Sequence, residues 1–278
     1  MKNILVPTDF SENCNKAAEL GIKMAKLYNS EIHFFHLMNT PVDWINLDKE
    51  KEKRYPQTVQ QIGSARADLR ELGLKAEREG LKCRTFLEFD GGQANILKHS
   101  GHFHHDFIVT GSSGTQGGVR ELLGSNVEKI VRKADVPVIV VKNKEVSFPF
   151  KDIVFVSDFL EYVSEAFKQV ISIAKKCGAH IHLLRVNTQT DFNSIEQGVN
   201  PLKKFLERFP DLEKYSMNVY NEPAVETGIN SYLKYNDADL IAMCTHGRAG
   251  FLSLFSKSIA EGVTNNSELP VMTIHIKK

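Results

Sequence analysis

The sequence has little of what marks several common protein classes. Its four cysteines, Cys14, Cys83, Cys177 and Cys244, lie far apart and form no C-x-x-C pair, which argues against a zinc site or a disulfide framework. Charge of one sign is not in excess: 35 Lys and Arg stand against 34 Asp and Glu, a net charge of +1. The part before Asn143 carries 20 basic and 18 acidic residues, and the rest 15 and 16. Neither part has the surplus of a nucleic-acid or anionic-membrane binder. No apolar run approaches the roughly 18 residues that a membrane span needs. The start reaches Pro7 and Asp9 before any long apolar stretch, unlike a secretory signal. These absences predict a soluble, cytoplasmic protein with no nucleic-acid or membrane partner.

What is present is ordinary for a globular protein, 42% hydrophobic and 25% charged residues. The 278 residues are nearly twice the usual single-domain length, so two domains are expected. A repeat bears this out at the level of sequence. Ile4-Leu5-Val6-Pro7-Thr8-Asp9-Phe10 aligns with Ile153-Val154-Phe155-Val156-Ser157-Asp158-Phe159, and Glu31–Leu37 with His180–Val186, both at an offset of 149. Asp106–Val109 then aligns with Asp239–Ala242, and Val136-Pro137-Val138 with Leu269-Pro270-Val271, at an offset of 133. The second copy is 16 residues shorter, and the loss falls after its second strand. Domains over residues 1–143 and 150–278 are predicted, joined by a short linker ending Phe148-Pro149-Phe150.

In each copy, short β-branched runs alternate with helical patterns, the signature of βαβ units around a parallel sheet. Strands are predicted at Lys2–Val6, Glu31–Leu37, Lys82–Phe89, Phe107–Thr110 and Val136–Lys142. In the second copy they fall near Asp152–Val156, Ala179–Val186, Tyr215–Tyr220, Leu240–Cys244 and Val271–Ile276. Ser11 reads as the cap of a first helix, and further helices are predicted over about Thr58–Glu79, Gln93–Phe103 and Glu121–Arg132. Phe34 and Phe35 read as core, and the charged run Asp48–Arg54 as a solvated face. The fold class is α/β, an open five-stranded parallel sheet sandwiched by helices in each copy. Ligands of such sheets bind beyond the carboxyl ends of strands where the winding reverses, which draws attention to Pro7-Thr8-Asp9 and to the loop from Gly111.

That loop, Gly111-Ser112-Ser113-Gly114 through Gly117, Gly118 and Gly124-Ser125-Asn126, carries the strongest chemistry. Glycines let the main chain approach a ligand, and successive N–H groups with a helix start behind them form an anion nest. A phosphate chain fits this pattern, and Ser125 adds a hydroxyl donor. A solvated flexible loop is the competing reading, as a solvated turn or helix cap is for Asp9. The loop is neither a P-loop nor a G-x-G-x-x-G turn. His99, His102, His104 and His105 lie near a predicted helix end, where solvated histidines are commoner than a metal site, so no metal is expected. No Ser-His-Asp arrangement and no other catalytic residue is visible.

Gly111-x2-Gly114-x9-Gly124-Ser125, together with the opening Ile-Leu-Val-Pro-Thr-Asp-Phe-Ser, resembles the nucleotide-binding branch of the universal stress protein family. The resemblance covers almost the whole chain twice, as in a tandem member. It implies a sheet ordered 3-2-1-4-5, of the adenine nucleotide alpha hydrolase-like class. It also implies ATP, or AMP or ADP, at the ends of strands one and four, with or without Mg2+. Pro7, Thr8 and Asp9 would line the adenine and ribose end, Leu37 would pack on the adenine, and Thr110 and Gly111 would lie along the ribose. Gly114, Gly124, Ser125 and Asn126 would wrap the phosphates; Asn126 stands where the family often has an apolar residue.

In the second copy Cys244 replaces the first signature glycine and Lys257 the third, while Asp158 and Ser258 remain. One nucleotide per chain, in the first copy, is the expectation. The implied role is a stress-response signalling module; a slow ATPase and a nucleotide-free scaffold for protein partners are the alternatives. The family resemblance further implies pairing of the two copies through their last strands, with a homodimer as a further option.

Overall fold

A computed structural model describes residues 1–89, 96–112, 125–142, 145–188, 195–246, 262–264 and 266–276. The chain divides into two compact units, Met1–Ile130 and Val131–Lys278. No helix among the described residues is long and apolar enough to cross a membrane.

The first unit is built on β1 (Asn3–Pro7), whose Ile4, Leu5 and Val6 are wholly buried. Such a two-sided apolar strand is the mark of a sheet centre. Helix α1 (Glu12–Tyr28) follows, with Ser11 at its N-cap accepting from the Cys14 N–H. It ends on Asn29, a left-handed cap at φ 52°. Gly21 lets α1 lie against the sheet, since a Cβ there would come within 2.7 Å of Val6. Strand β2 (Glu31–Met38) runs parallel to β1, with Val6 opposite Phe34 and Pro7 opposite Phe35.

Between β2 and the long helix α3 (Pro56–Arg78) lies the segment with the charged run Asp48–Arg54. It contains the one-turn helix α2 (Lys49–Glu52), which buries nothing. It is anchored all the same, because Trp44 packs into a small core with Met38 and Ile62. Strand β3 (Cys83–Phe89) pairs parallel with β2. Helix α4 (Ile96–His102) leads to β4 (Phe107–Gly111), which pairs with the other side of β1, Ile4 opposite Phe107. The order is therefore β3-β2-β1-β4, with the winding reversed at β1. Helix α5 (Ser125–Lys133) comes after the glycine loop.

The second unit holds β5 (Val138–Val141), β6 (Asp152–Val156), α6 (Ser164–Cys177), β7 (His180–Asn187), α7 (Ile195–Leu206), β8 (Tyr215–Asn221), α8 (Val225–Leu233), β9 (Leu240–His246) and β10 (Val271–Ile276). Strands β8-β7-β6-β9-β10 follow the expected 3-2-1-4-5 order, all parallel. β5, the closing strand of the first sequence copy, pairs antiparallel with β10, Val140 opposite Val271 and Val138 opposite Thr273. This covers the apolar edge of β10 that would otherwise invite association.

The repeat seen in sequence is also a repeat of hydrogen bonds. Asp106 accepts from the Lys2 and Asn3 N–H groups at the foot of β1, and Asp239 accepts from those of Lys151 and Asp152 at the foot of β6. The histidine-rich stretch departs from expectation. His102 and His104 are exposed, but His99 and His105 are buried and gather with His33 of β2. The reason is helical spacing: His99 and Ile96, three residues apart, share the face of α4 that turns inward.

Candidate functional site

The residues after β1 form a tight turn fixed by the backbone. The Thr8 N–H donates to the Phe35 carbonyl at 2.9 Å, extending the β1–β2 ladder by one step. The Thr8 hydroxyl oxygen accepts from the Phe10 N–H at 3.0 Å. The His36 Nδ1–H donates to the Thr8 carbonyl at 2.7 Å, which fixes that imidazole's tautomer. Phe10 sits at φ 64°, a left-handed conformation that costs an L-residue roughly 1–2 kcal/mol. The strain turns the chain sharply and leaves Asp9 exposed at the strand end.

Burial acts to raise the Asp9 pKa, but hydrogen bonds from Ser11 and Cys14 outweigh it and hold the carboxyl below the ordinary carboxylate range. One of those bonds runs from the Ser11 N–H to Oδ1 at 3.0 Å. Asp9 is thus an anion with one oxygen already occupied.

Because β1 and β4 are neighbours, the turn and the start of the glycine loop open onto one cleft. A cavity of about 80 Å³ is lined by Pro7, Thr8, Asp9, Leu37, Thr110 and Gly111, six of the residues expected at the site. Cys14, Phe35, Ile96, Val127 and Ile130 complete the lining. The cleft is apolar in depth, and Asp9 is the one charged group among its described lining residues. Burial pushes the Cys14 thiol up to about 11, and the nearby Asp9 charge adds to this, so Cys14 lines the cleft as a neutral group. Asp9 and Leu37 are shared with a wider groove of about 650 Å³. Its far wall is one face of α3, where Gln57, Gln60, Gln61, Ser64 and Asp68 recur at helical spacing.

Gly111 has a specific steric reason. A Cβ there would lie 2.5 Å from the backbone of both Asn13 and Cys14, in the first turn of α1. Next to it, Asn13 donates from Nδ2 to the carbonyl and hydroxyl oxygens of Ser112 at 3.1 and 3.0 Å. Strand β4 and the start of α1 are locked together at the point where the loop departs. Gly114 and Gly124 lie outside the described residues, as do the side chains of Ser125 and Asn126, the first two residues of α5.

The second copy keeps the turn but buries its aspartate. Phe159 repeats the left-handed conformation at φ 59°, and its N–H donates to the Ser157 hydroxyl oxygen at 3.2 Å. Asp158, however, is only 4% exposed. The Tyr162 hydroxyl donates to its carboxylate, and Arg185 Nη1 donates to its carbonyl at 2.6 Å. Tyr162 and Arg185 occupy the positions of Asn13 and His36. Cys244 stands in place of Gly111 and is buried, which raises its thiol pKa. Here the first helical turn is a 3-10 turn (Glu161–Val163) and α6 begins only at Ser164. A side chain at the glycine position thus coincides with a displaced helix start. Lys257 and Ser258 lie outside the described residues.

Sequence reasoning passed over the cleft's apolar walls and the bonds of Tyr162 and Arg185 to Asp158. Phe35 is two residues before Leu37, so both face one side of β2. Tyr162 is four residues after Asp158, and the offset of 149 sets it against Asn13. Both signals were present in the sequence.

The family model described as the universal stress protein family matches residues 1–142 and again 149–275. A universal stress protein of Methanocaldococcus jannaschii, MJ0531, is 30% identical over 142 residues, 51% of this chain and 82% of that protein. Universal stress protein Mb2028c of Mycobacterium bovis is 24% identical over 295 residues, covering 97% of this chain and 95% of its own length. Among solved structures, a universal stress protein from Archaeoglobus fulgidus superposes with a TM-score of 0.75 at 21% identity, over 99% of this chain and 98% of its own. With the family model matched twice and nearly end to end, the chain belongs to the universal stress protein family.

Proposed function

We propose that the first copy binds an adenine nucleotide, ATP in the first instance, and that the chain acts as a nucleotide-dependent module of the stress response. The observation that carries this reading is the cleft where β1 and β4 diverge. It offers an apolar slot between Leu37, Phe35 and Ile130, an anionic acceptor at its mouth in Asp9, and Gly111 at the start of a glycine-rich loop. A purine base suits the slot, a ribose hydroxyl suits Asp9, and the spacing Gly111-x2-Gly114-x9-Gly124-Ser125 suits a phosphate chain held mainly by N–H groups. The wider groove gives room within the usual range of small-molecule sites, about 300–1,000 Å³. The only charged group on the described cleft wall is an already hydrogen-bonded carboxylate at the ribose end, so the reading is one of binding, with no hydrolytic role assigned. The buried Asp158, capped by Tyr162, supports one nucleotide per chain.

Denaturing the purified protein and counting released nucleotides by chromatography tests this directly. About one ATP per chain is expected, lost on Gly124→Glu. A protein that releases none and shows no heat on ATP titration overturns the reading.

A further inference from the structure

Three histidines that the nucleotide cleft does not use meet inside the first unit. His33 comes from β2, His99 from α4 and His105 from the turn before β4, and they are 2, 5 and 4% exposed. One ring nitrogen from each lies within 4.8 Å of the others. We propose that His33, His99 and His105 form a binding site for a divalent transition-metal ion of the zinc class, each giving it one imidazole nitrogen.

The hydrogen bonds on the outside of the cluster carry the argument. His33 Nε2 meets Glu31 Oε1 at 3.0 Å, His99 Nδ1 meets Glu88 Oε1 at 3.1 Å, and His105 Nδ1 meets the Ser100 carbonyl at 3.2 Å. All three partners are acceptors, so each outer nitrogen carries the N–H. A neutral imidazole has only one. The inner atoms, His33 Nδ1, His99 Nε2 and His105 Nε2, are therefore left as lone pairs directed at one another. Two of them, on His33 and His105, are only 2.9 Å apart, a repulsive contact until a cation lies between them. The third, His99 Nε2, is buried with no hydrogen-bond partner, an arrangement that costs about 1–3 kcal/mol.

An ion answers each of these points. Carboxylate or carbonyl acceptors behind ligating histidines are the usual outer support of a metal site. Zinc–nitrogen bonds of about 2.0–2.1 Å place tetrahedral ligands roughly 3.3 Å apart, between the 2.9 Å contact and the 4.8 Å limit. Glu31 and Glu88 bring two negative charges, one shared with Arg84 at 2.6 Å. The rings of Phe86, Phe35 and Phe103, at 4.4, 4.6 and 4.6 Å from His99, keep the cluster dry.

The second copy shows that the fold does not itself demand these residues. His182 keeps the place of His33, with Nε2 on Asp152 at 3.0 Å and Nδ1 on the Ser216 hydroxyl at 2.9 Å. Its counterparts of His99 and His105 are Tyr232 and Ala238. The same corner of strand and helix forms there without an imidazole at either of those two positions.

The test uses the full chain, stripped with a chelator in nucleotide-free buffer and titrated first with Co2+ and then with Zn2+. One Co2+ per chain is expected, with the visible absorption of an imidazole-ligated ion, displaced by one Zn2+. The spectrum should persist in His102→Asn/His104→Asn, which changes only the exposed pair, and disappear in His99→Gln. Glu88→Gln should weaken binding about 10- to 100-fold. A wild-type chain that gives no cobalt spectrum and retains no zinc overturns the proposal, whether or not the His99 variant folds. So does a spectrum that survives His99→Gln and is lost with the exposed pair.

Discussion

Asp9 and Asp158 end the same strand in the two copies and live in opposite surroundings. Asp9 is exposed and keeps acceptor capacity free beside an open cleft, while Asp158 is buried under Tyr162 and Arg185. A charge-assisted hydrogen bond is worth about 1.5–3 kcal/mol, so Asp9→Asn should weaken ATP binding roughly 10- to 100-fold and leave the melting temperature nearly unchanged, as calorimetry of both would show. In the second copy the cost should fall on stability instead. Tyr162→Phe removes a donor from a buried carboxylate and should destabilise the protein by about 1–3 kcal/mol in urea titrations, with the nucleotide count unaltered. Cys14 offers a third check. With its thiol pKa pushed up to about 11, little thiolate exists near neutrality, and only the thiolate is alkylated. Its reaction with iodoacetamide should be slow at pH 7, rise about tenfold per pH unit until the pKa is approached, and be suppressed by ATP. At this scale the sequence identified Asp9 as an acceptor but not the fate of Asp158. The donor that seals it comes from the 3-10 turn that follows, and a side chain's reach across a turn is not a property of either residue alone.

The first turn of α1 is where a glycine in one element shapes another. Strand β4 ends with Gly111 against the backbone of Asn13 and Cys14, so the strand and the helix start share one van der Waals surface. Gly111→Ala should force that surface apart, with a loss of about 1–3 kcal/mol in chemical denaturation and a parallel loss of ATP affinity. A variant with unchanged stability and unchanged affinity would remove the steric account of this glycine. The Gly-x2-Gly-x9-Gly spacing drew attention to Gly111 as the start of a glycine-rich loop. Its contact with α1 was not, because the opposing atoms are backbone and leave no mark on the sequence. The strands were read within a residue or two because apolar runs bounded by turn residues are a local signal. The anchoring of Trp44 on Met38 and Ile62 was missed because it depends on a long segment folding back. The buried histidines were missed for the same reason: His33 is 66 residues before His99, and only the β1–β2 and β1–β4 pairings bring them together.

At the scale of the whole chain, duplication has left two copies of one sheet order, one with its strand-end carboxylate open and one with it buried, and this predicts an asymmetric response to ligand. Binding to the native state alone stabilises it by RT ln(1 + [L]/Kd), about 2.7 kcal/mol when ATP is at a hundred times its dissociation constant. Amide exchange slows only where the opening that exposes an amide also releases the nucleotide. Peptides from β1, the start of α1 and β4 meet that condition, because their backbones form the cleft. Peptides from β6 and β9 do not, since the matching carboxylate in their unit is satisfied by Tyr162 rather than by a ligand. Hydrogen exchange with and without ATP should therefore show protection concentrated before Ile130, with the core strands of the second unit changing far less. Equal protection at β6 and β9 would mean that ATP displaces Tyr162 from Asp158, and the count of bound nucleotide would then rise from one to two per chain.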